Sequence, residues 1–412
     1  MSSEFQKGEV SPVPSQVPSV ALTGAAKVPT TANTTALYRH PAEWEPHYGC
    51  IILWPHNENT FNLPCVKEEL YNVCKHISAS EMLLLYLPPP DTGPNSGVDT
   101  PDPALESLLS LPASSHSITV LNVPSNDTWS RDTSPIFLTS QTSPPTPGIP
   151  SKLKALDFNF NAYGGPEHGC YWPCDLDVAL GSRISSDLLA SHESRPDFVF
   201  EGGSFCTDGR GTMITTEECL LRGNRNGDMG KGEVESYLLK AMNLRKIIWL
   251  PDGLYGDMDT NGHADNFCCF VSPGTVALAW TEDEEDPQWA ISNEALRVLE
   301  GECDSEGNKL RIVKLPLPKP QYLTEEDTQG LKISPHATER KVGERLAASY
   351  VNFYIANGAC IVPSFGDEMD EVAREIVERE VGRKAISVYS RNILVGGGNI
   401  HCQTMQIPEH TK

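Results

Sequence analysis

The sequence from Arg391 to Thr404 carries a candidate nucleophile, the thiol of Cys402. An apolar run, Ile393 to Val395, predicts a short buried strand, and three consecutive glycines, Gly396 to Gly398, end it. Glycines let the backbone approach a ligand closely and adopt φ values that other residues avoid. A thiol behind such a turn is well placed to attack a substrate. The competing interpretation is a buried structural cysteine, which residue type alone favours because free cysteines are usually inert.

Three upstream stretches place carboxylates and an imidazole at predicted strand ends. Asp132 closes the motif that begins at Trp129, although an Arg-Asp surface turn would explain this motif equally well. Glu201 follows an apolar run, and a charge at the end of a buried strand needs a partner or a function. His263 and Asp265 are two residues apart, so in an extended segment they project to the same face.

Together these residues supply one thiol, one imidazole and three carboxylates. A cysteine and a histidine can together attack an electrophilic carbon. Carboxylates beside a thiol raise its pKa and oppose formation of the thiolate. This arrangement is productive when the substrate itself brings positive charge. A planar guanidinium is the natural candidate, because carboxylates bind it through paired, charge-assisted hydrogen bonds.

Alternating short strands and helices must position these groups. Hydrophobic periodicity predicts a helix over Cys65–Ala79, and the dipeptides at 273–274 and 357–358 predict the turns of two hairpins. We see no long parallel crossovers, which favours repeated mixed β/α units of the α/β (α+β) class. Residues 1–36 predict a disordered extension, and residues 37–408 predict a single large domain. Predicted strands include Gly49–Trp54, Met82–Leu87, Lys246–Leu250, Ala348–Tyr354 and Ala385–Tyr389.

Composition narrows the choice of partners. The 412-residue chain has a formal net charge of −23, which argues against nucleic acid and anionic membranes and suits a cationic small molecule. Its 12 cysteines are too sparse for a disulfide-stapled secreted domain, and their spacing predicts no zinc site. No apolar run reaches the roughly 18 residues of a membrane span. We therefore expect a soluble, cytoplasmic protein.

Several long motifs resemble those of the agmatine deiminase family, which belongs to the guanidino-group-modifying superfamily. They include NDTWSRD (126–132), DFNFNAYGG (157–165), EGGS (201–204), TTEECLL (215–221), DTNGHADN (259–266), ASYVNFYIANGACIVPSFGD (348–367) and GGGNIHC (396–402). The similarity runs from His40 to Gln406, about nine-tenths of the chain. It implies a five-bladed β/α propeller, a pentein-like fold, with the site near its central axis.

The resemblance also implies a role for each candidate residue. Cys402 would be the nucleophile, and Asp132 and Asp265 would hold the guanidinium. His263 would be the acid/base residue, with Glu201 orienting it and contacting the guanidinium. The implied reaction converts agmatine to N-carbamoylputrescine and ammonia through a covalent amidino-cysteine, a step of putrescine biosynthesis. The resemblance implies no metal or organic cofactor, and it implies a homodimer or a larger homo-oligomer.

The chain departs from the family pattern where the other end of the substrate would bind. Met258 stands where family members commonly carry an acid, so we expect Asp259 to meet the distal ammonium. Trp129 and Gly398 complete the predicted substrate-binding set. Two other functions remain open. One is deimination of another guanidine, such as peptidyl-arginine, and the other is non-catalytic binding of cationic ligands by the same fold.

Overall fold

The computed structural model of the chain describes residues 38–89, 102–140, 152–227, 229–332, 334–335 and 337–410. The predicted disordered extension, residues 1–36, lies outside these ranges. Within them, no helix combines the length and the apolarity that crossing a membrane requires. The strands are β1 (Tyr38–Arg39), β2 (His47–Leu53), β3 (Met82–Leu87), β4 (Ser117–Asn122), β5 (Ile136–Ser140), β6 (Leu153–Asn159), β7 (Ser191–Val199), β8 (Phe205–Thr207), β9 (Thr212–Thr216), β10 (Lys246–Leu250), β11 (Cys268–Ser272), β12 (Thr275–Trp280), β13 (Arg311–Pro316), β14 (Tyr354–Ile355), β15 (Cys360–Ser364), β16 (Ala385–Tyr389) and β17 (Met405–Pro408). The helices are α1 (Leu63–Ser78), α2 (Pro103–Leu109), α3 (Ser130–Thr133), α4 (Gly165–His168), α5 (Asp175–Asp187), α6 (Glu217–Leu220), α7 (Gly223–Asn226), α8 (Lys231–Ala241), α9 (Pro287–Gly301), α10 (Glu325–Gln329), α11 (Asp370–Val381) and α12 (Arg391–Val395).

The described strands form five separate sheets that share one internal pattern. Their strand orders are β17-β2-β3-β4, β1-β5-β6-β7, β10-β9-β8, β11-β12-β13 and β14-β15-β16. In each sheet an antiparallel pair is followed by a helical crossover to a parallel strand. The parallel pairs β2–β3, β6–β7, β9–β10, β12–β13 and β15–β16 are of this kind. The prediction that long parallel crossovers are absent is therefore wrong. Hydrophobic periodicity indicates where helices and strands lie, but it does not indicate which strands pair. The sequence therefore predicted several of the helices without showing that they connect parallel strands.

Helix α1 illustrates why these crossovers form. Its buried positions include Val66, Leu70, Val73 and Ile77, which recur at the three- to four-residue spacing of one helix face. Leu70, Val73 and Ile77 pack into an apolar cluster with strands β2 and β3, and Val66 packs into the neighbouring cluster that contains Cys402. Pro64 stands in the first helical turn, where a missing backbone N–H costs no hydrogen bond. The predicted helix Cys65–Ala79 is confirmed to within two residues.

The stretch Ile393 to Val395 is helical, so the predicted strand there is wrong. It forms the end of α12, a single turn that precedes the three glycines. The carboxylate of Glu69, on α1, accepts hydrogen bonds from the backbone N–H groups of Asn392 (3.1 Å) and Ile393 (2.9 Å). A carboxylate stabilises the free N–H groups at a helix start, and a three-residue apolar run cannot reveal this distant partner.

Both predicted hairpins are present, but one predicted strand is much shorter. Strands β11 and β12 pair antiparallel around Pro273 and Gly274, and β14 and β15 around Asn357 and Gly358. The predicted strand Ala348–Tyr354 is reduced to the two residues of β14. The preceding segment makes tight turns instead, with Phe353 N donating to Val351 O at 2.9 Å.

Candidate active site

The candidate site residues come from equivalent places in the five sheets. Each sheet contains an antiparallel pair, and a site residue stands a few positions before the first strand of each pair. Asp132 precedes β5, Glu201 precedes β8, Asp265 precedes β11, Asn352 precedes β14 and Cys402 precedes β17. Four of these were predicted from the sequence. Asn352 was missed, because its neighbours were predicted to be a strand.

The glycine turn makes room for the nucleophile. Gly397 has a φ of +108°, a conformation that residues with a side chain rarely adopt. A Cβ at Gly398 would lie 2.7 Å from the Trp129 ring and 3.0 Å from Cys402 Sγ. Gly398 is thus fitted between these two side chains, and a larger residue would displace one of them.

The thiol of Cys402 is buried among polar groups. Its Sγ lies 3.1 Å from Asn352 Nδ2 and 3.5 Å from Asp265 Oδ2. Burial, and then the charges of Asp265 and Asp132, raise the pKa of the Cys402 thiol well above its ordinary value. With no cationic substrate bound, this site therefore favours the thiol over the thiolate.

Two carboxylates and an imidazole converge beside Gly203. A Cβ added at Gly203 would lie 2.6 Å from His263 Nδ1 and 3.0 Å from both Asp132 Oδ1 and Asp265 Oδ2. Asp132 is held by the Gly203 N–H and the Tyr163 hydroxyl, each donating at 2.9 Å. Burial raises the pKa of Asp132 to about 6. Sequence reasoning did not single out Gly203, although it stands in the quoted EGGS motif.

His263 is fully buried, and neither ring nitrogen has a hydrogen-bond partner among the residues that the structure describes. Burial lowers its pKa, but the charge of Asp132, the neighbouring Cys219 sulfur and the charge of Glu201 outweigh burial and raise the pKa to about 10. His263 is therefore an imidazolium at neutral pH. Its backbone N–H donates to Asp257 Oδ2 at 3.1 Å, which anchors the turn that carries it.

Arg225 balances the charge of Glu201. Its Nε lies 2.6 Å from Glu201 Oε1, and both side chains are fully buried. The guanidinium also donates to Thr260 O at 2.9 Å and to Asn261 Oδ1 at 3.1 Å. It therefore ties Glu201 to the segment that leads into His263. Sequence reasoning missed Arg225, although a buried carboxylate calls for such a partner.

Glu201, Cys219 and His263 also form a set of potential metal donors. One donor atom from each lies within 4.8 Å of the others, and zinc accepts all three donor types. A divalent cation there would face the Arg225 guanidinium, 2.6 Å from Glu201. The negative charge that Glu201 would offer to a metal is already paired with Arg225, so this set of donors does not favour a metal ion.

A pocket of about 450 Å³ leads to Cys402 and Asp132. Trp129, Asp259 and Gly398, which the sequence suggested as substrate-binding residues, are part of its lining. Asp259 is not free, because Arg340 Nη1 lies 2.6 Å from its Oδ2, and Arg340 Nη2 donates to Gly396 O at 2.6 Å.

Met258, which stands where the family commonly carries an acid, is 77% exposed. Among the described residues, the pocket lining does not include it.

His401, next to the nucleophile, is paired with carboxylates at both ring nitrogens. Nδ1 lies 2.8 Å from Asp265 Oδ2, and Nε2 lies 3.0 Å from both oxygens of Glu43. Burial and the charge of Arg131 lower the pKa of His401, but Glu43 and Asp265 outweigh them and raise it. The same contacts hold the pKa of Asp265 below its ordinary value despite burial. Asp265 thus faces the Cys402 sulfur, at 3.5 Å, as a carboxylate.

The site combines a cysteine, an imidazolium and three buried carboxylates beside one pocket, and its residues come from five similar sheets. These features define a class of protein: hydrolases that attack a cationic carbon centre with a cysteine. The chain belongs to the family of Porphyromonas-type peptidyl-arginine deiminases, whose model matches residues 39–408.

Relatives and solved structures narrow this assignment. The chain is 40% identical over 376 residues to the agmatine deiminase of Medicago truncatula, covering 90% of this chain and 96% of the relative. It is 38% identical over 374 residues to a putative agmatine deiminase of Listeria monocytogenes, with the same two coverages. The structure of the Enterococcus faecalis agmatine deiminase matches with a TM-score of 0.81 and 32% identity, over 93% of this chain and 100% of that one. The fold is therefore a single α/β domain of the kind seen in agmatine deiminases.

Proposed function

We propose that the chain hydrolyses the guanidino group of agmatine, releasing ammonia and N-carbamoylputrescine. The observation that carries this proposal is the convergence of Asp132, His263 and Asp265 on one point beside the buried Cys402 thiol. The full-length similarity to agmatine deiminases, at 38–40% identity, supports the choice of substrate. The product is a precursor of putrescine, which places the reaction in polyamine biosynthesis.

Substrate charge resolves the electrostatic conflict at the nucleophile. Burial, and then the charges of Asp265 and Asp132, raise the pKa of the Cys402 thiol. A bound guanidinium neutralises these carboxylates through paired hydrogen bonds, so the thiol can release its proton to solvent. The carboxylates therefore hold the substrate and also make the thiolate conditional on its presence.

The reaction then proceeds in two halves. The Cys402 thiolate attacks the guanidino carbon to form a C–S bond, and the His263 imidazolium protonates one amino group, which leaves as ammonia. This yields an amidino-cysteine and a neutral imidazole. His263 next takes a proton from water as the water oxygen attacks the same carbon. The C–S bond breaks, the thiolate returns, and the urea product loses its extra proton. A histidine with a pKa of about 10 suits the first of these roles.

We also propose how agmatine lies in the pocket. Trp129, at the wall beside Gly398, would pack against the methylene chain. Asp259 would meet the distal ammonium, in competition with its present partner Arg340 at 2.6 Å. Glu201 would orient His263 and complete the guanidinium contacts.

Peptidyl-arginine is the second candidate substrate, because the matching family model carries that description. A structure of a putative peptidyl-arginine deiminase is 25% identical to this chain, with a TM-score of 0.73 over 90% of this chain and 99% of that one. The identity to agmatine deiminases is higher, which favours the free amine.

Ammonia release from agmatine, arginine and a peptidyl-arginine, measured side by side, tests the proposal. Turnover of agmatine alone, absent in Cys402→Ser, is the expected result. Turnover of the peptide instead would keep the mechanism and replace the substrate. If the folded protein released no ammonia from any of the three substrates, the catalytic proposal would be overturned in favour of cation binding.

Three structural expectations belong to this proposal. We propose that residues 37–408 form one domain whose five sheets are the blades of a propeller around the site. The equivalent positions of Asp132, Glu201, Asp265, Asn352 and Cys402 before the first strand of each antiparallel pair support that arrangement. A homodimer or larger homo-oligomer and a cytoplasmic location complete the proposal. The chemistry assigned above uses side chains alone.

A further inference from the structure

The side chain of Asn352 is completely buried against the nucleophile. Its Oδ1 lies 2.9 Å from the backbone nitrogen of His401 and 3.3 Å from that of Cys402. Its Nδ2 lies 2.9 Å from Asn266 Oδ1 and 3.1 Å from Cys402 Sγ. Cys402 Sγ also lies 3.5 Å from Oδ1, and Asp265 O lies 3.4 Å from Nδ2, so each end of the amide has three polar neighbours and the sulfur is nearer to the nitrogen.

This set of partners fixes the orientation of the amide. The backbone N–H groups of His401 and Cys402 can only donate, so the atom of Asn352 that faces them must be the oxygen. The amide nitrogen then necessarily faces Cys402 Sγ. If the amide were flipped, two buried N–H donors would point at a third donor, at a cost of two lost hydrogen bonds.

We propose that Asn352 is a catalytic residue that donates a hydrogen bond to the Cys402 sulfur and stabilises its thiolate. This inference rests on the proposed hydrolysis and adds a residue to it. The thiolate occurs twice in that reaction, before attack on the guanidino carbon and again when the C–S bond breaks. A donor fixed beside the sulfur favours both steps.

The surrounding charges explain why such a donor is needed. Asp265 and Asp132 face the sulfur with negative charge, and burial removes water that would otherwise solvate a thiolate. His263 carries the opposing positive charge, and His401 and Glu43 lie behind Asp265. Asn352 is a neutral donor, so it stabilises the thiolate without weakening the attraction of the carboxylates for a cationic substrate.

Replacing Asn352 by Asp removes the hydrogen bond to the Cys402 sulfur while it keeps an acceptor for the backbone N–H groups that Asn352 holds. An aspartate keeps an oxygen to accept from the N–H groups of His401 and Cys402, but it replaces the donor with an oxygen. Asn352→Ala removes the donor without adding a buried charge. It serves as the second variant if the aspartate protein does not fold. Asn399→Ala is the matched control, because Asn399 is a buried asparagine three positions from Cys402 whose amide nitrogen has no partner within the described part of the chain.

The readout is the pH dependence of Cys402 alkylation by iodoacetamide, a neutral reagent, followed by mass spectrometry of the Cys402 peptide. The expected result is that the rate rises at a pH at least one unit higher in Asn352→Asp and Asn352→Ala than in the wild type. Asn399→Ala should follow the wild-type curve. The three variants keep Asp132, Asp265 and His263, and because Asn352→Ala adds no charge, a shift shared by both Asn352 variants reports the lost donor and not the charge of the new aspartate.

Unchanged alkylation curves in the folded Asn352 variants would overturn the inference, even if agmatine turnover fell, because such a fall would reflect scaffolding alone. Alkylation does not require turnover. A wild-type protein that fails to hydrolyse agmatine would refute the proposed function while the alkylation curves still decide the role of Asn352.

Discussion

Gly203→Ala is the sharpest steric test of the site. The added Cβ would lie 2.6 Å from His263 Nδ1, so the imidazole would have to retreat by about 0.8 Å to reach an ordinary contact of 3.4 Å. The same methyl would press on Asp132 and Asp265 at 3.0 Å. Displacing catalytic groups by about 1 Å costs roughly 10²-fold in rate, which corresponds to about 2.7 kcal/mol of transition-state stabilisation. Overpacking would also lower the free energy of unfolding by about 1–3 kcal/mol.

The assay compares kcat/KM for agmatine with the free energy of unfolding in denaturant. Gly232→Ala is the matched control, because a Cβ there meets open space. We expect Gly203→Ala to remain folded and to lose about 10²-fold or more in kcat/KM, and Gly232→Ala to retain wild-type activity. A folded Gly203→Ala protein with wild-type kcat/KM would refute the reasoning, since catalysis would then tolerate a methyl group at the point of convergence.

Two further variants test the electrostatics. Because burial raises the folded-state pKa of Asp132 to about 6, its ionised form destabilises the fold at neutral pH. The stability it contributes is present below about pH 4 and is lost as pH rises through 6. Asp132→Asn should therefore abolish turnover yet raise the free energy of unfolding by about 1–3 kcal/mol at pH 7. This gain should shrink towards pH 4, and denaturant titrations at the two pH values measure it. An equal gain in the free energy of unfolding at pH 4 and pH 7, relative to the wild type, would contradict this prediction. Arg225→Met should lower the free energy of unfolding by about 3–5 kcal/mol, because it leaves Glu201 as an unpaired buried charge. The double variant with Glu201→Gln should recover part of that loss, and an additive result would show that the two side chains are not coupled.

Local signals in the sequence predicted individual elements well. The spacing of Val66, Leu70, Val73 and Ile77 was sufficient for helix α1, and the Asn357-Gly358 pair was sufficient for a hairpin. The same signals failed where a distant partner decides the structure. Helix α12 depends on Glu69, more than 300 residues away along the chain. The parallel crossovers depend on which strands pair, and periodicity within one strand does not encode that.

The site shows the same division. The cysteine, the histidine and the carboxylates could be predicted as a set because reactive residue types follow predicted strand ends and match family motifs. Asn352, Arg225 and Cys219 act through long-range contacts with those residues. Asn352 and Cys219 lie within family motifs, but a single asparagine or cysteine there does not by itself indicate which residue it contacts. Knowing that site residues precede the first strand of each antiparallel pair would have identified Asn352. Asp259 was predicted to meet the distal ammonium of the substrate, and nothing in the sequence indicated its pairing with Arg340, which joins segments 81 residues apart.

The central claim is that Cys402 forms a covalent amidino adduct with agmatine. Acid quenching during turnover, followed by mass spectrometry of the peptide that contains Cys402, tests it most directly. We expect that peptide to gain the mass of agmatine less that of ammonia, with no adduct in Cys402→Ser. Agmatine turnover that persists in Cys402→Ser, or an adduct that maps to another residue, would contradict the account.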